Sequence, residues 1–530
     1  MLKSTYASNG MVVAPHHLAA ESGLAVLREG GNALEAMIAA AASIAVVYPH
    51  MNSIGGDGFW VISPADGDPI AIDACGVAGR GATIVRYREE EGLDEIPARG
   101  PLAALTVAGT VSGWGLAKQM SEQWGGTMPL DRLLEDAVGY ARDGVAVTEG
   151  QARLTTEKLP EMGLAAGFTE VYTPGGAVPG CGDVFRQPRL SATLEQIGRA
   201  GTEDFYRGDL ARMITADLEN VGSPVHGSDL AAHQAKAVTP LSLRVGDATV
   251  YNMRPPTQGL ASLLILGAFA KMECAEADGC DFVHLLVEAS KQAFAIRDRH
   301  ITDEDYMSPP PESFLTEKVV AKLAAGIDPK TASVWKRGGI DSDTIWMGVM
   351  DRHGNAVSFI QSVYWEFGAG VVLPESGITW QNRGASFALD PDALNPLQPG
   401  RKPFHTLNPA LARLDDGRVV SYGTMGGEGQ PQTQAAVFNR IVRYGQPVQQ
   451  ALTAPRWLLG RTWGSDSTNL KVESRFPDEV IEALRTAGQD VEVVGPYSDL
   501  MGHAGALVRR PDGMIEAGFD PRSDGAARGF

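Results

Sequence analysis

Two apolar, β-prone runs, Thr344-Ile345-Trp346-Met347-Gly348-Val349-Met350 and Ala356-Val357-Ser358-Phe359-Ile360-Gln361, flank the polar turn Asp351-Arg352-His353-Gly354-Asn355. That pattern predicts a β-hairpin. Upstream, Met11-Val12-Val13-Ala14 reads as a short strand, and residues 18–28 carry the spacing of an amphipathic helix that Gly30-Gly31 stops. Asn32 then caps a second helix over 33–47, apolar on all sides and therefore buried. Glycines at 55, 56 and 58 lead into a strand at 60–62, and 70–73 is another strand. No helix opens behind those glycines, so they do not form a phosphate cradle. From 130 to 200 helical patterns alternate with Gly/Pro loops, and 283–298 is strongly helical. Residues 316–339 read as a helix followed by a polar connection. A second hairpin turns at Asp415-Asp416-Gly417, its outgoing strand ends in Gly423-Thr424-Met425-Gly426-Gly427, and a helix covers about 431–444. The pattern alone says mixed α and β.

With 530 residues the chain is long enough for about three domains. At 44% hydrophobic and 21% charged it is an ordinary globular composition. The net charge of −19 argues against a nucleic-acid partner, because an acidic surface repels phosphate backbones. The ten histidines fall in no metal-binding spacing, so no metal is expected. Four cysteines are too few for a disulfide framework, and reduced thiols are expected, including Cys274 and Cys280. The first ten residues carry no apolar signal core, and the most apolar run, 36–47, is too short to span a bilayer. The expectation is a cytoplasmic protein without a membrane partner.

Thr344 stands at the start of the first hairpin strand. One reading is simply a β-branched residue opening a strand. The other depends on cutting the Asp343–Thr344 bond. The threonine hydroxyl would then lie beside a free α-amine with a pKa of about 7.7–8.0. That amine can accept the hydroxyl proton without a histidine, which makes a nucleophile–base pair from one residue. Gly426 and Gly427 precede a helix, where backbone N–H groups favour negative charge. An ordinary strand-to-helix turn is the competing reading there. Arg297, Asp298 and Arg299 read as an ion-paired or solvated helix end rather than as catalytic groups.

The run D-T-x6-D-x2-G-N-A-V-S from Asp343, then F-G-A-G-V-V-x-P-x-S-G-I, resembles the small-subunit start of the gamma-glutamyltransferase family of N-terminal-nucleophile hydrolases. The segments at 52–59, 106–113, 423–427, 454–456 and 520–525 are similar to the family's as well. The resemblance implies an α+β fold, a four-layer αββα sandwich built jointly by fragments 1–343 and 344–530 of one precursor. It implies Asp343–Thr344 as the processed bond, Thr344 as nucleophile and Ser362 as the hydroxyl that holds the new amine. It implies Gly426 and Gly427 as the oxyanion loop. The two fragments would form a heterodimer, itself free to pair, and no cofactor is required.

The substrate contacts depart from the family pattern. The R-E-x-A-P signature is absent; the chain reads Asp73-Ala74-Cys75-Gly76-Val77-Ala78-Gly79 there. Tyr364, Arg383 and Ser386 stand where the family has Asn, Gln and Asp, and His405 and Thr406 replace two serines. Neither end of a γ-glutamyl group keeps its usual partner, and unpaired polar groups in a closed site discriminate strongly. Tyr364, Trp365 and Trp380 add bulk. A small amide acid is therefore the expected substrate, with Arg383 on its carboxylate and His405 in reserve; Arg383 pairing with Glu366 or Asp390 is the alternative. The opening M-V-V-A-P-H-H-L-A and the segment V-V-Y-P-H-M-N resemble the oxamate amidohydrolases of the family, which suggests purine degradation as the setting. Competing functions are a γ-glutamyl hydrolase or transferase, a cephalosporin-type acylase, and an uncleaved binding protein.

Overall fold

Strands from both sides of residue 343 interleave in one sheet. A computed structural model describes residues 2–163, 165–335, 343–460 and 468–530, with the Asp343 side chain outside the description. The polar connection expected to reach Gly339 lies outside the described residues from 336 onward. One seven-stranded sheet runs Ala526–Gly529, Gly10–Ala14, Asp343–Asp351, Ala356–Tyr364, Asp57–Ser63, Ile70–Ala74 and Lys236–Val238. The other runs Thr5–Ala7, Ile515–Phe519, Ala504–Arg509, Val419–Thr424, Ala410–Leu414, Ala248–Asn252 and Leu241–Val245. Every neighbouring pair in both is antiparallel.

The two-residue period of each strand makes the layers. Met11, Val13, Trp346, Met350 and Ile360 face the second sheet and pack with its Leu411, Leu507 and Ile515. Val12, Ala14, Ile345, Met347 and Val349 point the other way, into a core shared with the helices His17–Arg28 and Ala33–Val47. On the far side, Gly259–Ala270, Cys280–His300 and Gly429–Val442 cover the second sheet. The result is the expected four-layer αββα sandwich. Trp346 fills the space between the sheets. A Cβ on Gly423 would lie 2.2 Å from its ring, and one on Gly505 2.4 Å from it, so both facing positions need glycine.

The helix Ala33–Val47 is buried along its whole length, which accounts for its all-round apolar sequence. Asn32 Oδ1 accepts the N–H groups of Leu34 and Glu35, both at 3.1 Å, and Glu35 Oε2 accepts the Asn32 N–H at 3.1 Å. Such a capping box is worth about 1 kcal/mol. All four cysteines are free thiols. No helix among the described residues is long and apolar enough to cross a membrane.

Candidate active site

Adjacent strands bring the candidate residues to one end of the first sheet. In the hairpin, Asp343 pairs with Tyr364 and Ile345 with Gln361, and the register shifts between them, so Thr344 occupies an irregularity opposite 362–363. On its other side Ser362 pairs with Asp57, and Gly58 pairs with Ala74. Thr344, Ser362, Asp57 and Cys75 thus follow one another across four strands at the same level. Thr344, Ser362 and Asp57 are completely buried, and Cys75 nearly so.

Arg383 enters this row from the short helical turn Arg383–Ser386. Its Nη2 donates to Ser362 Oγ at 3.0 Å, and its guanidinium stacks on the Tyr364 ring at 4.1 Å. The Tyr364 N–H donates to the same Ser362 Oγ at 2.8 Å. Two donors occupy both lone pairs of that hydroxyl, which fixes the direction of its own proton. Arg383 is fully buried, yet its Nε and Nη1 have no hydrogen-bond partner among the described residues. Burial lowers its pKa to about 10, so it stays cationic at neutral pH. It pairs with neither Glu366 nor Asp390 among the described residues. Glu366 instead faces Arg99 at 3.8 Å and Lys158 at 3.9 Å.

The oxyanion candidates follow the strand Val419–Thr424 of the second sheet. Gly426 and Gly427 have φ of 117° and 51°, left-handed values that favour glycine. Their carbonyls hold the turn: Gly426 O accepts from the Gly429 N–H at 2.8 Å and Gly427 O from Gln430 N–H at 3.3 Å. Neither glycine's own N–H has an acceptor among the described residues. Two residues that sequence reasoning did not place in this role brace the loop. Gln258 Nε2 donates to Gly427 O at 2.8 Å and to Thr406 O at 2.7 Å. Arg297 Nη1 holds the Gln258 Oε1 at 3.2 Å while its Nη2 pairs with Glu428 at 2.5 Å. Arg297 is thus ion-paired as expected, but buried rather than solvated. The Arg456 and Arg522 motifs are structural too. Both pair with Asp520, and Arg456 donates to Gly502 O at 2.9 Å beside the Met425–His503 backbone bond.

His405 lies at the Cys75 end of the row. Its Nε2 is 2.9 Å from Cys75 Sγ and 3.5 Å from Asp57 Oδ2. The other Asp57 oxygen accepts the N–H groups of Gly76 and Gly109, at 2.9 and 3.0 Å. Burial raises the Asp57 pKa to about 7 and pushes the Cys75 thiol up. Burial first, then Arg383 and Lys402, holds His405 well below its ordinary value. A neutral His405 is a poor clamp for a carboxylate. Two clefts flank the row. One, of about 340 Å³, is lined by Asp73, Cys75, His233 and Lys402, and Lys402 is paired with Asp73. The other, of about 610 Å³, is lined by Tyr364, Trp365, Ser386 and Arg88, and the Ser386 hydroxyl there has no partner. Trp380 adds no bulk to either; it is buried in the helix-covered core, and its indole N–H donates to Thr106 O at 3.0 Å.

A family model described as gamma-glutamyltranspeptidase matches residues 19–530. The chain belongs to the gamma-glutamyltranspeptidase family. Among curated members, the oxamate amidohydrolase proenzyme of Klebsiella pneumoniae is 54% identical over 531 residues, covering 100% of both chains. The glutathione hydrolase-like YwrD proenzyme of Bacillus subtilis is 38% identical, again over 100% of both. Among solved structures, cephalosporin acylase from Bacillus halodurans superposes with a TM-score of 0.92 at 31% identity, covering 100% of this chain and 97% of that one. The sandwich described above is accordingly the N-terminal-nucleophile hydrolase fold of the gamma-glutamyltranspeptidase family.

Proposed function

We propose that the chain cuts itself between Asp343 and Thr344 and then hydrolyses a small amide acid, oxamate foremost, to oxalate and ammonia. Fragments 1–343 and 344–530 stay together, because their strands alternate within one sheet. The observation that carries the substrate assignment is the Arg383 guanidinium, which bonds Ser362 through Nη2 and keeps Nε and Nη1 without partners among the described residues. A buried cation with two unused donor nitrogens favours an anionic ligand, and its planar fork suits a carboxylate. Its place beside the nucleophile strand calls for a carboxylate next to the scissile amide. In a γ-glutamyl donor the carboxylate lies several carbons away.

In the reaction the Thr344 α-amine takes the hydroxyl proton as Oγ attacks the amide carbon. The Gly426 and Gly427 N–H groups hold the oxyanion. The C–N bond breaks, the amine returns the proton, and ammonia leaves an oxalyl ester on Thr344. Water adds with the same amine as base, and the ester C–O bond breaks to give oxalate. Tyr364 and Ser386 line the way in, and His405 and Thr406 wall the site. The Klebsiella relative supports this reading by name and full-length identity. The glutathione-type alternative, favoured by the name of the Bacillus relative, predicts turnover of a γ-glutamyl anilide. Purified, processed protein should release ammonia from oxamate and leave the anilide untouched; the reverse pattern overturns the assignment.

A further inference from the structure

Three donor atoms of different kinds converge behind the Arg383 site. Cys75 Sγ and Asp57 Oδ2 both approach His405 Nε2, at 2.9 and 3.5 Å, and all three atoms lie within 4.8 Å of one another. All three residues are buried. Asp57 stands two strands and Cys75 three strands from Thr344, roughly 10 and 14 Å. A Cys-His-Asp relay needs the thiol on one ring nitrogen and the carboxylate on the other. Here both face Nε2, and Nδ1 has no hydrogen-bond partner among the described residues, so this arrangement is not a nucleophilic triad. A plain hydrogen-bonded cluster fits poorly as well. One ring nitrogen is shared by two neighbours, the thiol's other contact is Gly76 O at 3.3 Å, and among the described residues Asp57 Oδ2 has no hydrogen-bond partner.

We propose that Asp57, Cys75 and His405 form a three-ligand site for a borderline-soft divalent metal, Zn²⁺ first. Tetrahedral zinc with usual bond lengths sets its S, N and O ligands about 3.4–3.6 Å apart. The carboxylate–imidazole spacing of 3.5 Å already matches, and the thiol, now 2.9 Å from the imidazole nitrogen, must move back by about 0.6 Å. On binding, the Cys75 thiol loses its proton to solvent, and thiolate, carboxylate and dication sum to zero charge. That neutrality matters, because Arg383 and Lys402 add positive charge nearby. A thiolate with an imidazole selects against magnesium and calcium. Cys75 also lines the 340 Å³ cleft, which gives an ion a path from solvent.

The test is a titration of chelator-treated, reduced protein with Co²⁺, read by near-ultraviolet thiolate-to-cobalt absorption. One equivalent per chain should produce the band, and Zn²⁺ should abolish it by displacement. Cys75→Ser, which is nearly isosteric, should lose the band, and His405→Gln should weaken Co²⁺ binding at least tenfold. A protein with Cys181, Cys274 and Cys280 all changed to Ser should keep it. Absence of the band in the parent, its survival in Cys75→Ser, or its loss in the triple variant overturns the site. Thr344→Ala should bind the metal like the parent, so the result is independent of the hydrolase assignment.

Discussion

Asp343 and Tyr364 face each other across the hairpin as the registered pair just before Thr344. Tyr364 sits at φ 87°, in the left-handed region that a bulky residue rarely adopts. Its ring covers Arg383 and its N–H fixes Ser362. The Asp343–Thr344 bond proposed for cleavage, the Ser362 hydroxyl proposed to hold the new amine and the Arg383 guanidinium are therefore coupled through one strand end.

Processing is the first prediction. Purified protein should show two fragments, the smaller beginning Thr-Ile-Trp. Thr344→Ala should remain a single 530-residue chain and be inactive. Full activity in an uncut chain would rule the mechanism out.

The clamp gives the second. Arg383→Lys keeps the charge but loses the fork, and Arg383→Gln removes both. Each should still self-cleave, since the Tyr364 N–H continues to hold Ser362. Each should lose oxamate turnover by about 1.5–3 kcal/mol in kcat/KM, the usual worth of a charged hydrogen bond. Neutral amides without a carboxylate should lose far less. Equal losses on both substrate types would make Arg383 structural.

The same guanidinium should tune the base. A cation near the Thr344 amine disfavours protonation, so the acid limb of kcat/KM should lie below the ordinary amine range of about 7.7–8.0. Arg383→Gln should move that limb upward. An unchanged limb, or one erased by replacing a single histidine, would show that the amine is not the base.

Stability should fall in mild acid. Burial, with Lys402 and Arg207 adding to it, lowers the His233 pKa to about 4. Between about 6.5 and 4 the unfolded chain binds a proton that the folded chain refuses, so stability drops as the pH falls through that window. The contribution is about 2 kcal/mol between pH 7 and pH 5. His233→Gln should shrink the stability difference between those two pH values by that amount. His16, lowered to about 3, acts in the same direction. A His233→Gln variant with an unaltered difference would refute this.

Local chemistry made several elements legible: the capped helix from Ala33, both hairpins, and the glycines ahead of Gly429. Layer order was not legible from periodicity, because alternation reports a buried face and not what buries it. The strands Ala504–Arg509 and Ile515–Phe519 were not read for that reason, nor was the apolar helix Gly259–Ala270. Likeness to the family motifs singled out Thr344 and Ser362 as candidates, and a departure from them singled out Arg383. Asp57, Cys75 and His405 lie too far apart in sequence to show any ligand spacing; strand pairing sets Asp57 beside Cys75, and the segment before Ala410 brings His405 against both. Gln258 carries no signal beyond preceding a helix.

Gln258 is nevertheless the subject of the last prediction. One amide nitrogen spans the carbonyls of Thr406 and Gly427, and its oxygen is held by Arg297. It thereby sets the orientation of the peptide that follows Gly427, the second of the two glycines proposed to hold the oxyanion. Gln258→Leu removes a donor from the Thr406 and Gly427 carbonyls and an acceptor from Arg297 Nη1, leaving the Gln430 N–H at 3.3 Å to hold Gly427 O. The loop should loosen, and kcat should fall toward the roughly 10²-fold loss typical of a missing oxyanion donor. KM should change little, because Gln258 does not touch Arg383. Arg297→Lys keeps the pairing with Glu428 but loses the fork that reaches Gln258, and it should fall between the parent and Gln258→Leu. The expected signature is a kcat loss that exceeds any KM change while the unfolding midpoint stays near that of Arg297→Lys. A rise in KM at constant kcat would place Gln258 in substrate binding and remove the 426–427 turn from transition-state stabilisation.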